Sequence, residues 1–120
     1  MNTEYQKTWE LYAASWKAAS EAERRGLFDK SLDSACVYSD PMTKTTGWDA
    51  LLQYMAEFHK QIPGGHFVTT RFFAHNNKSA ACWNMVTGDG TVIGDGVSFG
   101  EYSDTGRLTA MTGFFEPPPS

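Results

Sequence analysis

Cysteine and positive charge are scarce in this sequence, and each shortage excludes a class of protein. The two cysteines, Cys36 and Cys82, are too few and too far apart for a disulfide framework or a zinc ribbon. Ten Lys and Arg residues stand against fourteen Asp and Glu residues, and the longest basic run is Arg24-Arg25. The basic surface typical of nucleic-acid-binding proteins is therefore missing, and we expect no nucleic-acid partner.

Long apolar runs are missing as well. No stretch approaches the roughly 18–20 apolar residues that cross a bilayer. The first residues, MNTEYQKTWE, lack the basic and then apolar order of a signal peptide. We therefore expect a cytoplasmic protein with no membrane partner.

The sequence also lacks the motifs of zinc proteases, dinucleotide-binding proteins, P-loop enzymes and α/β-hydrolases. Its three histidines, His59, His66 and His75, are scattered. Metal ligands come in pairs on one helix face or at alternate strand positions. We expect neither a metal nor a cofactor.

What is present is the composition of a globular domain, with 41% hydrophobic and 14% aromatic residues. A chain of 120 residues predicts one domain. We assign that domain to residues 1–116 and expect residues 117–120, which are mostly proline, to form a disordered tail.

The first half of the chain has helical periodicity. Large apolar residues at steps of four, three and four predict a helix over 3–19, and Ser20 opens a second helix that carries Leu27, Phe28 and Leu32. A brief strand at 35–39 stops at Asp40-Pro41, because proline cannot donate to a strand ladder. A polar loop at 43–46 precedes a third helix from Trp48, which ends at 62–65.

In the second half the period changes to two, which predicts an antiparallel meander. Its four strands are His66–His75, Ala80–Thr87, Thr91–Gly100 and Leu108–Phe115. Glycines within these strands favour bulges and bends. The predicted fold class is therefore α+β, with a curved antiparallel sheet covered on one face by three helices from the first half of the chain.

The order of these elements, together with short motifs, resembles the cone-shaped fold of nuclear transport factor 2, and within it the SnoaL-like polyketide cyclases and the ketosteroid isomerases. The motifs are Tyr12-Ala-Ala-Ser-Trp16, Val37-Tyr38-Ser39-Asp40-Pro41 followed by Gly47, Pro63-Gly64-Gly65-His66-Phe67, Ala81-Cys82-Trp83, Gly106-Arg107-Leu108 and Gly113-Phe114-Phe115. The resemblance implies a homodimer formed through the open sheet face.

The resemblance also implies a site. Asp40 matches the general base of the ketosteroid isomerases, and Tyr12 matches the tyrosine that donates to the developing oxyanion. At the position of the third group, a carboxylic acid in those enzymes, this sequence has Ser98. Asp95 lies three residues away and turns inward only if a bulge forms at 94–96.

Other residues are candidates from their spacing. His59 follows Met55 by one helical turn, so a neutral imidazole there could relay a proton. Apolar residues on the inward faces are expected to line a pocket for a small hydrophobic or aromatic ligand. These residues are Trp16, Tyr54, Met55, Phe58, Trp83, Met85, Met111 and Phe115.

We therefore expect a cofactor-independent enzyme of the SnoaL-like type that acts on a small hydrophobic carbonyl compound by general acid/base proton transfer, as an isomerase, cyclase or lyase. Asp40 removes the proton and Tyr12 binds the enolate oxygen. The alternative is a non-catalytic small-molecule-binding or dimerisation module, in which Asp40 is a turn residue. The sequence alone cannot separate a lined cavity from a filled core.

Overall fold

The computed structural model describes residues 2–116, and the side chains from residue 4 onward. The expected tail at 117–120 lies outside the described residues. The helices are α1 (Asn2–Ser15), α2 (Glu21–Ser31) and α3 (Trp48–Gln61). The strands are β1 (Leu32–Asp40), β2 (Thr43–Thr46), β3 (His66–His75), β4 (Lys78–Val86), β5 (Val92–Tyr102) and β6 (Leu108–Phe114).

The strands form one sheet in the order β2-β1-β6-β5-β4-β3. Strands β3 to β6 make the predicted antiparallel meander, and β1 joins its β6 edge in parallel. Three helices combined with a curved, open sheet give the α+β fold class that the sequence predicted.

The first helix was predicted over 3–19, but α1 ends at Ser15. Two predictions around β1 were also wrong. Residues 43–46 form strand β2 rather than a loop, because Asp40 and Thr43 close a tight hairpin and the β-branched threonines suit an extended backbone. Leu32 begins β1 rather than ending α2, and its backbone N–H caps that helix at Phe28 O. The predicted start of α2 is confirmed, since the Ser20 hydroxyl accepts a bond from the backbone N–H of Glu23 at 3.2 Å.

The sheet bends where its register shifts. One extra residue, Ile93, interrupts the pairing of β4 with β5, and a second irregularity follows Glu101. Gly96 allows the sheet to close around a large side chain, because a Cβ at this position would lie 2.5 Å from the Trp83 ring. The resulting curvature leaves space between the sheet and the helices.

The core lies between the helices and the inner sheet face. Phe28, Leu51 and Leu108 are fully buried there. None of the helices in the described part of the chain is long and apolar enough to cross a bilayer. The outer sheet face carries exposed apolar side chains, which are Val68, Phe73, Phe99 and Phe114.

Candidate functional site

A cavity of about 520 Å³ lies between α1, α3 and the inner face of the sheet. Its wall is predominantly apolar and includes nine aromatic residues, which come from α1, β1, α3, β3, β4 and the residues just after α1 and β6. These are Trp9, Tyr12, Trp16, Tyr38, Tyr54, Phe58, Phe67, Trp83 and Phe115. A volume of this size suits a small organic ligand.

Asp40 lies at the end of β1, and its two carboxylate oxygens have different partners. Oδ1 accepts bonds from the backbone N–H groups of Met42 at 2.8 Å and Thr43 at 3.1 Å, which fixes the hairpin into β2. Oδ2 accepts bonds from the phenols of Tyr38 at 2.5 Å and Tyr54 at 2.8 Å. One carboxylate therefore serves both the turn and the cavity wall.

The two phenols that bind Asp40 come from different elements, Tyr38 from β1 and Tyr54 from α3. Burial raises the pKa of the Tyr38 phenol well above its usual value, and the charge of Asp40 raises it further. Burial also raises the pKa of Tyr54, and its hydrogen bond to Asp40 acts in the same direction. Both side chains are therefore neutral hydrogen-bond donors at ordinary pH.

Tyr12 lines the same cavity from α1 and is 4% exposed. Burial raises the pKa of its phenol, and the neighbouring indole of Trp16 offsets only part of that rise. Among the described residues, the phenols bonded to Asp40 are those of Tyr38 and Tyr54, so Tyr12 is not tied to the carboxylate. Its hydroxyl group remains a donor for a molecule in the cavity.

Ser98 lies on the inner sheet face, where its hydroxyl accepts a bond from the Trp83 indole N–H at 2.9 Å. Asp95 pairs with Asn84, and the extra residue of the bulge is Ile93 rather than one at 94–96. Strand alternation therefore places the Asp95 side chain on the opposite face from Ser98. The Asp95 side chain is exposed, and it does not replace the missing inner carboxylic acid.

His59 is not part of the cavity wall in the described chain. Its Nε2 lies 2.5 Å from Trp16 O and 3.2 Å from Gly65 O, and its Nδ1 lies 2.6 Å from Nη2 of Arg24. Because carbonyl oxygens only accept, Nε2 carries the proton and Nδ1 accepts from the guanidinium. The ring links three helix segments and has no nitrogen free for a ligand, which differs from the relay expected from the sequence.

Six of the eight predicted wall residues line the cavity, and the other two lie deeper, in the core. Trp16, Tyr54, Phe58, Trp83, Met85 and Phe115 line the cavity. Met55 and Met111 do not, because they are 0% and 1% exposed and pack inside the core.

Tyr38 and Phe67 line the cavity but were not among the predicted site residues. The signal for Tyr38 was present in the sequence, since it lies two residues before Asp40 and so on the same strand face.

No group of three metal-ligating side chains occurs within the part of the chain that the structure describes. The cavity wall includes the Asp40 carboxylate and three phenols, and its other polar residues include Ser98, Glu57, Asp95 and Glu116. Such a set can accept a proton at one point and donate hydrogen bonds to an oxygen nearby.

Comparison with solved structures shows the same fold in several bacterial proteins. A SnoaL-like family protein from Agrobacterium tumefaciens, provisionally designated an isomerase, has 22% identity and a TM-score of 0.87, over 96% of this chain and 99% of that one. A protein from Kribbella flavida, provisionally designated a ketosteroid isomerase, has 22% identity and a TM-score of 0.71, over 99% and 85%. A protein from Jannaschia, provisionally designated a SnoaL-like polyketide cyclase, has 13% identity and a TM-score of 0.77, over 96% and 87%.

The search of curated proteins found no match. The family model of the SnoaL-like domain matches residues 13–111, which include α2, α3 and most of the sheet. That range also contains Asp40, Tyr38 and Tyr54. The chain is a member of the SnoaL-like domain family.

Proposed function

We propose that this protein is a cofactor-independent enzyme that moves a proton on a small hydrophobic carbonyl compound. The observation that supports this function best is the position of Asp40, whose Oδ2 is held in the wall of an aromatic cavity by two neutral phenols. A carboxylate among apolar walls has few competing water molecules, and a base in such a place can reach a carbon acid.

In the proposed reaction Asp40 takes a proton from the carbon next to the substrate carbonyl. The electron pair of that C–H bond forms a C=C bond, and the carbonyl oxygen becomes an enolate oxygen. Tyr12 donates a hydrogen bond to this oxygen and keeps its own proton, because burial raises the pKa of its phenol. Where the enolate is conjugated with a C=C bond, Asp40 then returns the proton to the far carbon of the dienolate. Alternatively, the enolate carbon attacks a second carbonyl carbon in the same molecule, the π electron pair of that C=O moves to its oxygen, and this oxygen takes the proton from Asp40.

Asp40 accepts four hydrogen bonds, which occupy the lone pairs of both oxygens. To receive a proton, it must release one of these donors. Tyr54 is the one that can move most readily, since it is only half-buried whereas Tyr38 is buried. We therefore propose that substrate binding shifts the Tyr54 phenol from Asp40 to the substrate oxygen.

The test measures exchange of carbon-bound hydrogen for deuterium in D₂O by NMR, with a panel of aromatic ketones and lactones. This assay detects proton removal without knowledge of the final product. We expect wild-type protein to catalyse exchange and Asp40→Asn to slow it by at least about a hundredfold, in the range typical for loss of a general base. Asp104→Asn, in an exposed turn, is the matched control. If Asp40→Asn exchanges as fast as wild type, the assignment of the base is wrong.

The second candidate is a non-catalytic binding module that uses the same cavity. The full set of four donors around Asp40 favours it, because it leaves the ground-state carboxylate without a free lone pair. Panel compounds that raise the melting temperature without any exchange would support this module.

We also propose a homodimer through the outer sheet face. Phe99 and Phe114 pack edge to face there at 5.7 Å between ring centroids, and both are about half-exposed. Arg71 and Asp95 lie on the same face, so a two-fold arrangement can bring unlike charges together. Phe99→Glu should convert a dimer to a monomer in light scattering, and a wild-type monomer at micromolar concentration would contradict the proposal.

A further inference from the structure

The charged residues that border the cavity are all acidic. The charged wall residues are Asp40, Glu57, Asp95 and Glu116, of which Asp95 directs its side chain to the outer sheet face, and none of the wall residues within 2–116 is Lys, Arg or His. Glu57 forms an exposed ion pair with Lys60 at 3.1 Å, so its charge is partly offset. A hollow bordered by charges of one sign attracts ligands of the opposite sign and disfavours ligands of the same sign.

Asp40 is hydrogen-bonded to two aromatic residues of the wall, and within residues 2–116 no Lys, Arg or His forms an ion pair with it. Its four hydrogen-bond partners are two phenols and two backbone N–H groups, all of them neutral. The ion pairs found among residues 2–116 involve other carboxylates, at Glu21, Asp49, Glu57 and Glu101. A carboxylate bonded only to neutral donors keeps a net negative charge that a ligand cation can meet.

The aromatic wall around Trp16 is built from rings in edge-to-face contact. The Trp16 ring lies 5.5 Å from Phe58 and 5.3 Å from Phe67, at interplanar angles of 89° and 84°. It also lies 6.1 Å from Tyr54 at 85°. Rings at right angles form adjoining walls rather than a stack, and the π face of an aromatic ring attracts a cation. The phenol of Tyr54 donates to Asp40, and this bond polarises its ring toward higher electron density.

We propose that the cavity selects a ligand with a substituted ammonium group on a flat apolar body, the cation lying between Asp40 and the aromatic wall around Trp16. This inference depends on the proposed function only in using the same cavity. Combined with that function, it identifies the substrate class as carbonyl compounds that carry a basic amine.

The experiment compares three probes of similar shape and different charge. They are para-hydroxyphenyl trimethylammonium, the neutral isostere para-tert-butylphenol, and the anion para-hydroxybenzenesulfonate. Binding is followed by the quenching of tryptophan fluorescence. We expect the cation to bind at least about tenfold more tightly than the neutral probe, as desolvated cation–π contacts and a carboxylate together would give. We expect the anion to show no saturable binding.

The role of Asp40 is tested with Asp40→Asn, which should remove the preference for the cation, so that the cation and the neutral probe bind with similar affinity. Asp104→Asn is again the control and should keep the full preference. If Asp40→Asn does not fold, the comparison of the three probes on wild-type protein decides the proposal alone.

Two outcomes would overturn the inference. The neutral probe binding as tightly as the cation would show that charge is not selected, although the cavity would still bind ligands and the proposed function would stand. Failure of all three probes to bind would reject the cationic ligand class. If wild-type protein prefers the cation but catalyses no proton exchange, the proposed function is rejected and the ligand class stands.

Discussion

Two tyrosine hydroxyl groups, those of Tyr38 and Tyr54, donate hydrogen bonds to Asp40, and removing them one at a time measures what each bond contributes. Tyr38→Phe and Tyr54→Phe each delete one hydroxyl group and keep the ring, so the packing of the wall changes little. A hydrogen bond to a charged group contributes about 1.5–3 kcal/mol to stability. Tyr38 is buried and its bond to Asp40 is 2.5 Å long, so water cannot easily replace its hydroxyl group.

We therefore expect Tyr38→Phe to reduce the free energy of unfolding by about 2–3 kcal/mol, the upper part of the range for charge-assisted bonds. Tyr54 is half-buried at the cavity wall, so a water molecule can take the place of its hydroxyl group. Its loss should cost about 1 kcal/mol or less. Urea unfolding followed by tryptophan fluorescence measures both values.

The order of the two variants reverses in the exchange assay. Tyr54→Phe should slow deuterium exchange by about 10²-fold, the loss typical of one oxyanion donor, because Tyr54 is the phenol proposed to shift to the substrate. Tyr38→Phe should slow it less. Equal losses of stability would refute the argument from burial, and unchanged or faster exchange in Tyr54→Phe would refute the proposed shift of its phenol.

Three further predictions concern stability. Burial raises the pKa of Tyr102 from 10.0 to about 12, so its contribution to stability is complete below pH 10 and is lost as the pH rises toward 12. Urea unfolding across this range should show a decline that Tyr102→Phe makes shallower, and the buried phenols of Tyr12, Tyr38 and Tyr54 account for the part that remains. Arg24→Met leaves Nδ1 of His59 buried without a donor and should cost about 1–3 kcal/mol in thermal unfolding, unless water enters the gap. Gly96→Val brings a side chain into the Trp83 indole and should lower the melting temperature, which an unchanged value would contradict.

The helices and the meander could be predicted because their signals are local. The apolar stripe of α1 repeats at helical spacing, and the meander strands alternate with turns between them. The parallel pairing of β1 with β6 joins Val37 to Ala110, and nothing in the sequence near either residue specifies the other. Strand β2 is extended because it pairs with β1, and residues 43–46 alone do not specify that partner.

The candidate site could be predicted only in part, for a related reason. Asp40 was proposed as a site residue from the resemblance to the ketosteroid isomerases, and Tyr38 could have been found from the strand period. The partner Tyr54 depends on the rotation of α3, which brings a residue fourteen positions away to the carboxylate. His59 was misplaced because Arg24 is 35 positions away, and a buried guanidinium accounts for the orientation of the imidazole.

The two oxygens of Asp40 connect the hairpin to the cavity, because Oδ1 binds the backbone of the turn and Oδ2 binds the phenols of the cavity wall. Asp40→Asn replaces Oδ1 or Oδ2 with a donor, so this variant disturbs both the turn at Met42 and the phenols, and a loss of activity in it has two possible origins. The tyrosine variants act on Oδ2 alone. If the cavity role is separate from the turn, amide hydrogen exchange at Met42 and Thr43 should stay as slow in Tyr54→Phe as in wild type while catalysis falls. Faster exchange of those two amides would mean that the hairpin and the site are one cooperative unit.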